Sequence, residues 1–301
     1  MTNVQKTKYR YLDPALLARL ANLNLVARLV VEGFITGLHK SPYQGFSVEF
    51  AEYRKYCPGD NLRYIDWKVF GKSDRYYIKR FQEETNLRCT IVLDASGSMG
   101  YGSGGVSKFQ YACLAAASLS YLMIRQQDSV GLVIFDSSLK TFIPPRSNPH
   151  HLKNILLALE QQETGEETDL GNVFHTLAER IKRRGLIIIL SDLFDEPESV
   201  IRALAHFRHK KHEVILFHTT DPHERKFPFD GLTDFIDMEN GERMQVYPRI
   251  LRQDYIDAFE KFRAEYRSRC MEHKIDYVPM ETDLPLDGLL LNYLSRRSRL
   301  G

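Results

Sequence analysis

Hydrophobic positions along the chain change period several times, and each change marks an element. After Asp13 and Pro14, an N-cap followed by proline at the first helical position, Leu16, Leu17, Leu20, Leu23, Val26, Leu29 and Val30 recur at helical spacing. They predict an amphipathic packing helix to about Val31. Phe46, Val48 and Phe50 alternate with polar residues, as a short strand does. Pro58, Gly59 and Asp60 supply a type II turn. Residues 63–81 mix aromatics and charges without a clean period and read as short strands and turns.

From Cys89 the pattern becomes regular. An aliphatic run ends on Asp94, a Gly/Ser loop follows over 97–107, and Phe109 to Ile124 is an uncharged helix. Strands are expected at Val130–Phe135, Leu139–Ile143, Leu186–Leu190, Glu213–Phe217, near Phe235, and at Ile275–Val278. Helices are expected from Asn148, around Leu170–Ile181, over Pro197–Arg208, through Tyr255, Phe259, Phe262, Tyr266 and Cys270, and over Gly288–Arg297. Strands alternating with helices predict right-handed crossovers. The fold class is therefore α/β, a Rossmann-like doubly wound, mainly parallel sheet covered on both faces. Ligands in such sheets sit beyond the carboxyl ends of the strands, which directs attention to Asp94 and Asp192.

Composition changes this picture only locally. Lys and Arg number 41 against 39 Asp and Glu, so bulk charge excludes a strongly basic nucleic-acid protein. Residues 1–88 hold 15 basic against 9 acidic side chains, however, and 89–301 hold 26 against 30, a basic preface to an acidic body. Cys57, Cys89, Cys113 and Cys270 lie far apart with no C-x-x-C, which reads as free thiols in a reducing cytoplasm. The polar N-terminus is not followed by a signal-peptide apolar core. The uncharged 109–124 stretch is too short and too polar for a membrane span, and fits a helix buried in a soluble core.

Asp94, Ser96 and Ser98 form a D-x-S-x-S sequence at a strand end. Three oxygen-bearing side chains on a tight loop can converge on a hard cation such as Mg²⁺, which prefers oxygen ligands in octahedral geometry. One carboxylate and two hydroxyls under-coordinate it, so Thr168 and Asp192, from other strand-end loops, are the candidates to join. These five positions resemble the metal-ion-dependent adhesion site of a von Willebrand factor A domain. The resemblance implies direct coordination by Ser96, Ser98 and Thr168, with Asp94 and Asp192 acting through water or hydrogen bonds, and a vacant position for a partner's carboxylate.

The segment holding Arg54, Tyr56, Pro58, Gly59, Asp60, Arg63, Ile65, Asp66, Trp67 and Lys68 resembles the signature of the bacterial domain-of-unknown-function family fifty-eight. Members carry it upstream of a von Willebrand A-like domain, and the stretch from Glu281, Thr282, Asp283, Pro285 and Leu286 through Tyr293 and Leu294 is also similar to theirs. Where members often have Ser-Ala-Arg, this chain has Phe70, Gly71 and Lys72. The resemblance implies three parts: a helix with a small β-containing segment at 1–86, the von Willebrand A-like domain at 87–280, and a closing helix with a basic tail at 281–301. It further implies a non-enzymatic protein-protein interaction module in the cytoplasm, an adaptor or chaperone-like partner of a MoxR-type AAA ATPase. Mg²⁺, or Mn²⁺ or Ca²⁺, would serve as the cation. Arg54, Asp60, Arg63, Asp66 and Lys68 are expected to pair with one another. Trp67 is expected to pack in a core.

Other motifs point less far. Gly100, Gly102 and Gly105 match G-x-G-x-x-G, but the D-x-S-x-S loop intervenes after the strand and no acidic residue stands at the required distance. No Walker motif exists. His206, His209 and His212 read as a solvated helix end, and Arg296, Arg297 and Arg299 as a basic tail favourable to a helix dipole. A metal-dependent hydrolase or phosphotransferase is the alternative function. It needs a general base, for which Asp136, Asp169 and Asp195 are the available carboxylates.

Overall fold

The computed structural model describes residues 48–55, 67–73, 76–83, 87–165, 169–238 and 241–298. They fall into two compact units, one within 35–86 and one holding everything from Leu87 onward. The smaller unit contains β1 (Val48–Lys55), α1 (Trp67–Ser73) and β2 (Tyr77–Glu83). β1 and β2 pair antiparallel from Val48 opposite Glu83 to Lys55 opposite Tyr77, with an irregularity between Phe50 and Glu52. Helix α1 departs from the reading of 63–81 as strands and turns; two turns are too short for a 3.6-residue period to stand out. Trp67 departs from expectation too. It is 61% exposed, because it opens this short helix and its ring meets Phe70 of the same helix edge-on at 6.1 Å. The helix expected after Asp13, the turn at 58–60 and the side chains of Arg54, Asp60, Arg63, Asp66 and Lys68 are outside the described residues.

The larger unit is built on six strands: β3 (Arg88–Asp94), β4 (Ser129–Phe135), β5 (Leu139–Arg146), β6 (Leu186–Ser191), β7 (Glu213–Thr220) and β10 (Asp276–Glu281). Their order is β10-β7-β6-β3-β4-β5, parallel throughout except for β5, which runs antiparallel to β4 at one edge. β6 is buried at every residue and β3 and β4 at all but their first, so helices cover both faces. The expected doubly wound α/β fold is the one the chain forms.

The helices are α2 (Lys108–Arg125), α3 (Pro149–Gln161), α4 (Leu170–Arg180), α5 (Pro197–His209), α6 (Pro222–Lys226), α7 (Pro248–Glu272) and α8 (Leu286–Ser298). Proline stands early in α3, α5, α6 and α7, where a missing N–H costs nothing. In α2, 14 of 18 residues are buried, which explains the uncharged stretch as a core helix. Among the described residues no helix is long and apolar enough to cross a membrane. One core layer packs α4, α5 and α7 on the sheet through Phe174, Leu177, Leu204, Phe207 and Tyr266.

Two features were not foreseen. Between β7 and α7 the chain inserts the short α6 and an antiparallel hairpin, β8 (Thr233–Ile236) with β9 (Arg243–Val246), where only an isolated strand near Phe235 was expected. His212 is not at a solvated helix end: it is 1% exposed, with Nε2 hydrogen-bonded to the Ile181 carbonyl and its ring edge-on to Phe207. The turn after α5 folds it inward, and burial lowers its pKa.

Candidate functional site

β3 is central. The chain continues from it to β4 and β5 on one side and to β6, β7 and β10 on the other, so the topological switch falls between β3 and β6. Crevices open at such points beyond the strands' carboxyl ends. β3 ends on Asp94 and β6 on Ser191, one residue beyond the Leu93–Leu190 register pair. The Ser191 hydroxyl donates to Asp94 Oδ2 at 2.6 Å, and the Ser96 amide donates to Oδ1 at 2.9 Å. Asp94 and Ser96 are both 1% exposed. Ser96 Oγ and Ser98 Oγ stand 3.1 Å apart. Gly97 between them is required by close approach, since a Cβ there would lie 2.6 Å from the Met238 carbonyl oxygen.

Asp192 follows β6 directly and is buried. Its Oδ2 accepts from Lys108 Nζ at 2.7 Å. Lys108 also pairs with Glu224 and lies 4.7 Å from the centre of the Phe194 ring. Leu193 holds the left-handed conformation at φ 60°, uncommon for a branched side chain. Its amide donates to Ser191 Oγ at 3.0 Å, and its carbonyl accepts from Tyr266 Oη at 3.2 Å. The backbone on either side of Asp192 is thus held from both the sheet and α7.

The electrostatics follow from burial. Burial raises the Asp94 pKa well above the carboxylate range, and the neighbouring Asp192 raises it further, against the hydrogen bonds from Ser191 and Ser96. Burial lowers the Lys108 pKa, but Asp192 and Glu224 together outweigh it and hold the ammonium charged. Asp192 and Glu224 share the one ammonium of Lys108, while the neighbouring Asp94 has only hydroxyl and amide donors, so the three carboxylates are two positive charges short when all are ionised. Adjacent hydroxyls beside such a deficit make a donor set suited to a hard divalent cation. Among the described residues no group of three or more His, Cys, Asp or Glu is placed to hold a metal, so the set leans on hydroxyls.

Of the five expected ligands, four lie at this switch point: Asp94, Ser96, Ser98 and Asp192. Thr168 is outside the described residues. The chain before it is pinned by the Gly165 amide donating to the Ala95 carbonyl at 2.7 Å, and after it Asp169 caps α4 by accepting from the Asn172 amide. The carboxylates considered as bases are committed elsewhere. Asp136 pairs with Lys140 at 3.0 Å, Asp169 is that cap, and Asp195 accepts from the Leu170 and Glu196 amides. His218, behind Asp192 on β7, is pushed down to about 3 by burial and shares a 2.6 Å hydrogen bond with Tyr277 Oη. It is too weak a base to activate water at neutral pH.

Lys108, Glu224 and Asp221 escaped the sequence reading. Asp221 takes both the amide and hydroxyl of Ser103, and with Glu224 closes a capping box on α6. Aspartate followed by proline, with glutamate at the third helical position, was the available signal. Nothing local marks Lys108 as buried.

Comparison with known proteins agrees with this architecture. An uncharacterized protein of Mycobacterium bovis, Mb1516, is 28% identical over 292 residues, covering 95% of this chain and 91% of its own. An aerotolerance-related membrane protein from Bacteroides fragilis, solved with multiple mutations to serine, superposes with a TM-score of 0.50 at 16% identity, over 71% of this chain and 100% of its own. BatB from Bacteroides thetaiotaomicron gives 0.49 at 17% identity, over 71% and 99%. The likeness to the first of these structures is one of fold, a six-stranded sheet with five parallel strands and one antiparallel edge. The family model described as Protein of unknown function DUF58 matches residues 52–265, more than two thirds of the chain, and the chain belongs to that family.

Proposed function

We propose that this protein is a non-enzymatic interaction module that binds a partner's carboxylate through a divalent cation. One observation carries the reading. At the sheet's switch point, the paired hydroxyls of Ser96 and Ser98 adjoin the buried carboxylates Asp94 and Asp192, with two fewer positive charges than the site calls for. Mg²⁺ is the cation this oxygen set favours, with Mn²⁺ or Ca²⁺ as chemically related occupants. Ser96, Ser98 and Thr168 would hold it, while Asp94 and Asp192 would orient its waters. When bound, the cation supplies a charge to which an acidic side chain can attach. The surroundings suit a protein partner. The Met238 carbonyl abuts Gly97, and beside it Ile236, Met244, Tyr247 and Ile250 are each more than half exposed on the hairpin and the start of α7. Such apolar surface next to a charged site is characteristic of interaction faces.

A MoxR-type AAA ATPase, or a complex that such an ATPase remodels, is the partner proposed from the family resemblance. The module is read as cytoplasmic because, among the described residues, Cys89 and Cys270 are buried thiols outside any disulfide. Calorimetric titration and pull-down with that ATPase, in Mg²⁺ and in EDTA, test the proposal. Binding is expected in Mg²⁺ only, with at least a tenfold loss on Asp94→Ala or Ser96→Ala, on the order of one charge-assisted contact. Partner binding unchanged by both substitutions defeats the mechanism. Phosphatase activity abolished by Asp94→Ala would establish the hydrolase alternative instead.

A further inference from the structure

A cation site has no evident use for a second, permanent cation, yet Lys108 places one beside Asp192. Its position is costly twice over. The ammonium is fully buried, which is unfavourable without partners. It also opens α2, whose N-terminal dipole end repels positive charge. The groups that stabilise it are Asp192 Oδ2 at 2.7 Å, the carboxylate of Glu224 and the face of the Phe194 ring. Glu224 is in turn fixed by the Asp221 amide at 2.8 Å, so α6 delivers it to this point deliberately in the geometric sense: its capping box leaves the other carboxylate oxygen for Lys108.

We infer that the buried Lys108–Glu224 pair sets the affinity of the switch-point site for its divalent cation, Lys108 lowering it as a built-in counter-ion to Asp192 and Glu224 raising it. The inference rests on the cation reading above and adds two residues that this reading does not assign. Lys108 and Glu224 are positioning residues; they act on the cation through Asp192 and through charge. Asp94, Asp192 and Lys108 are themselves buried, where neighbouring charges are weakly screened, so the charge of this cluster acts strongly on a cation beside it. With all three carboxylates ionised, as they would be around a bound cation, Asp94, Asp192 and Glu224 against Lys108 give a formal charge of −2. Glu224→Gln brings it to −1, Lys108→Met to −3, and the two together return it to −2.

Mg²⁺ titration by calorimetry of the full chain, with thermal unfolding in Mg²⁺ and in EDTA as a second readout, tests this. Glu224→Gln should weaken the Mg²⁺ Kd about tenfold and Lys108→Met should tighten it about tenfold. The double variant should return to within about threefold of wild type, because charge is restored although both side chains are changed. A merely structural pair predicts the opposite for the double variant, which would then be the weakest binder. Should Lys108→Met fail to fold in EDTA, Glu224→Gln and the double variant still decide. Wild-type Mg²⁺ affinity in Glu224→Gln overturns the inference while leaving the cation reading intact. Absence of Mg²⁺ binding by the wild-type chain, with Asp94→Ala indistinguishable from it, defeats the cation reading itself.

Discussion

Buried carboxylates behave differently in this chain according to what faces them. Asp94 has donors on both oxygens, whereas Asp128 has one: its Oδ1 accepts from the Leu87 amide at 3.0 Å, and its Oδ2 meets no hydrogen-bond partner. Burial pushes the Asp128 pKa up to about 7 despite that amide. The folded chain therefore keeps a proton that the unfolded chain releases near pH 4, and stability falls as pH rises from about 4 to about 7, by at most about 1.4 kcal/mol per unit. Below that window the penalty is absent, and above it the penalty is complete. Asp128→Asn keeps an oxygen for Leu87 and cannot ionise. Its stability relative to wild type, from urea midpoints at pH 5, 6, 7 and 8, should grow with pH and then level off. A difference independent of pH would show that Asp128 ionises freely. At this scale Asp94 was legible because it ends an aliphatic strand. Lys108 was not, since lysine reads as solvated and only three distant segments bury it.

Among the elements, α2 depends most visibly on its start. Ser107 Oγ accepts from the Gln110 amide at 3.1 Å, and Gln110 Oε1 accepts from the Ser107 amide at 3.2 Å, a reciprocal cap. Ser107→Ala should cost about 1 kcal/mol in chemical denaturation, the usual loss for an N-cap hydroxyl. Unchanged stability would show the cap to be dispensable. The hairpin was the element least legible in sequence. Its strands have four residues each, too few for alternation to register, and its anchor is aromatic packing rather than pattern. Phe227 stacks on Tyr255 at 4.2 Å and on Phe235 at 5.5 Å, and Phe194 stacks on Phe262 at 5.9 Å. These rings line the α7 side of the insertion and bring Phe194 over Lys108.

For the molecule as a whole, a cation that binds only the folded chain must raise its stability by mass action. Mg²⁺ at one hundred times its Kd should add about 2.7 kcal/mol, seen as a higher thermal midpoint that EDTA reverses. Asp94→Ala should abolish the increment. A midpoint indifferent to Mg²⁺ in the wild type would leave the site without a cation to hold. The doubly wound sheet was legible from alternating elements, and its connections explain the site: the chain leaves β3 and β6 in opposite directions, opening a crevice where Asp94 and Asp192 end up adjacent.

Apart from α6 and the β8–β9 hairpin, the sequence by itself determined the order of elements from Cys89 onward, the sheet they build and the D-x-S-x-S loop at its edge. Aliphatic runs, helical periods and caps are local signals, and each acts within a few residues. Only tertiary structure decided what surrounds that loop. Lys108 meets Asp192 across 84 residues and Glu224 across 116, the Met238 carbonyl presses on Gly97, and His212 turns inward. Contacts of that span have no periodicity to betray them. They exist because the sheet brings strand ends together and excludes water there, which makes a buried charge acceptable only where opposite charge is already waiting.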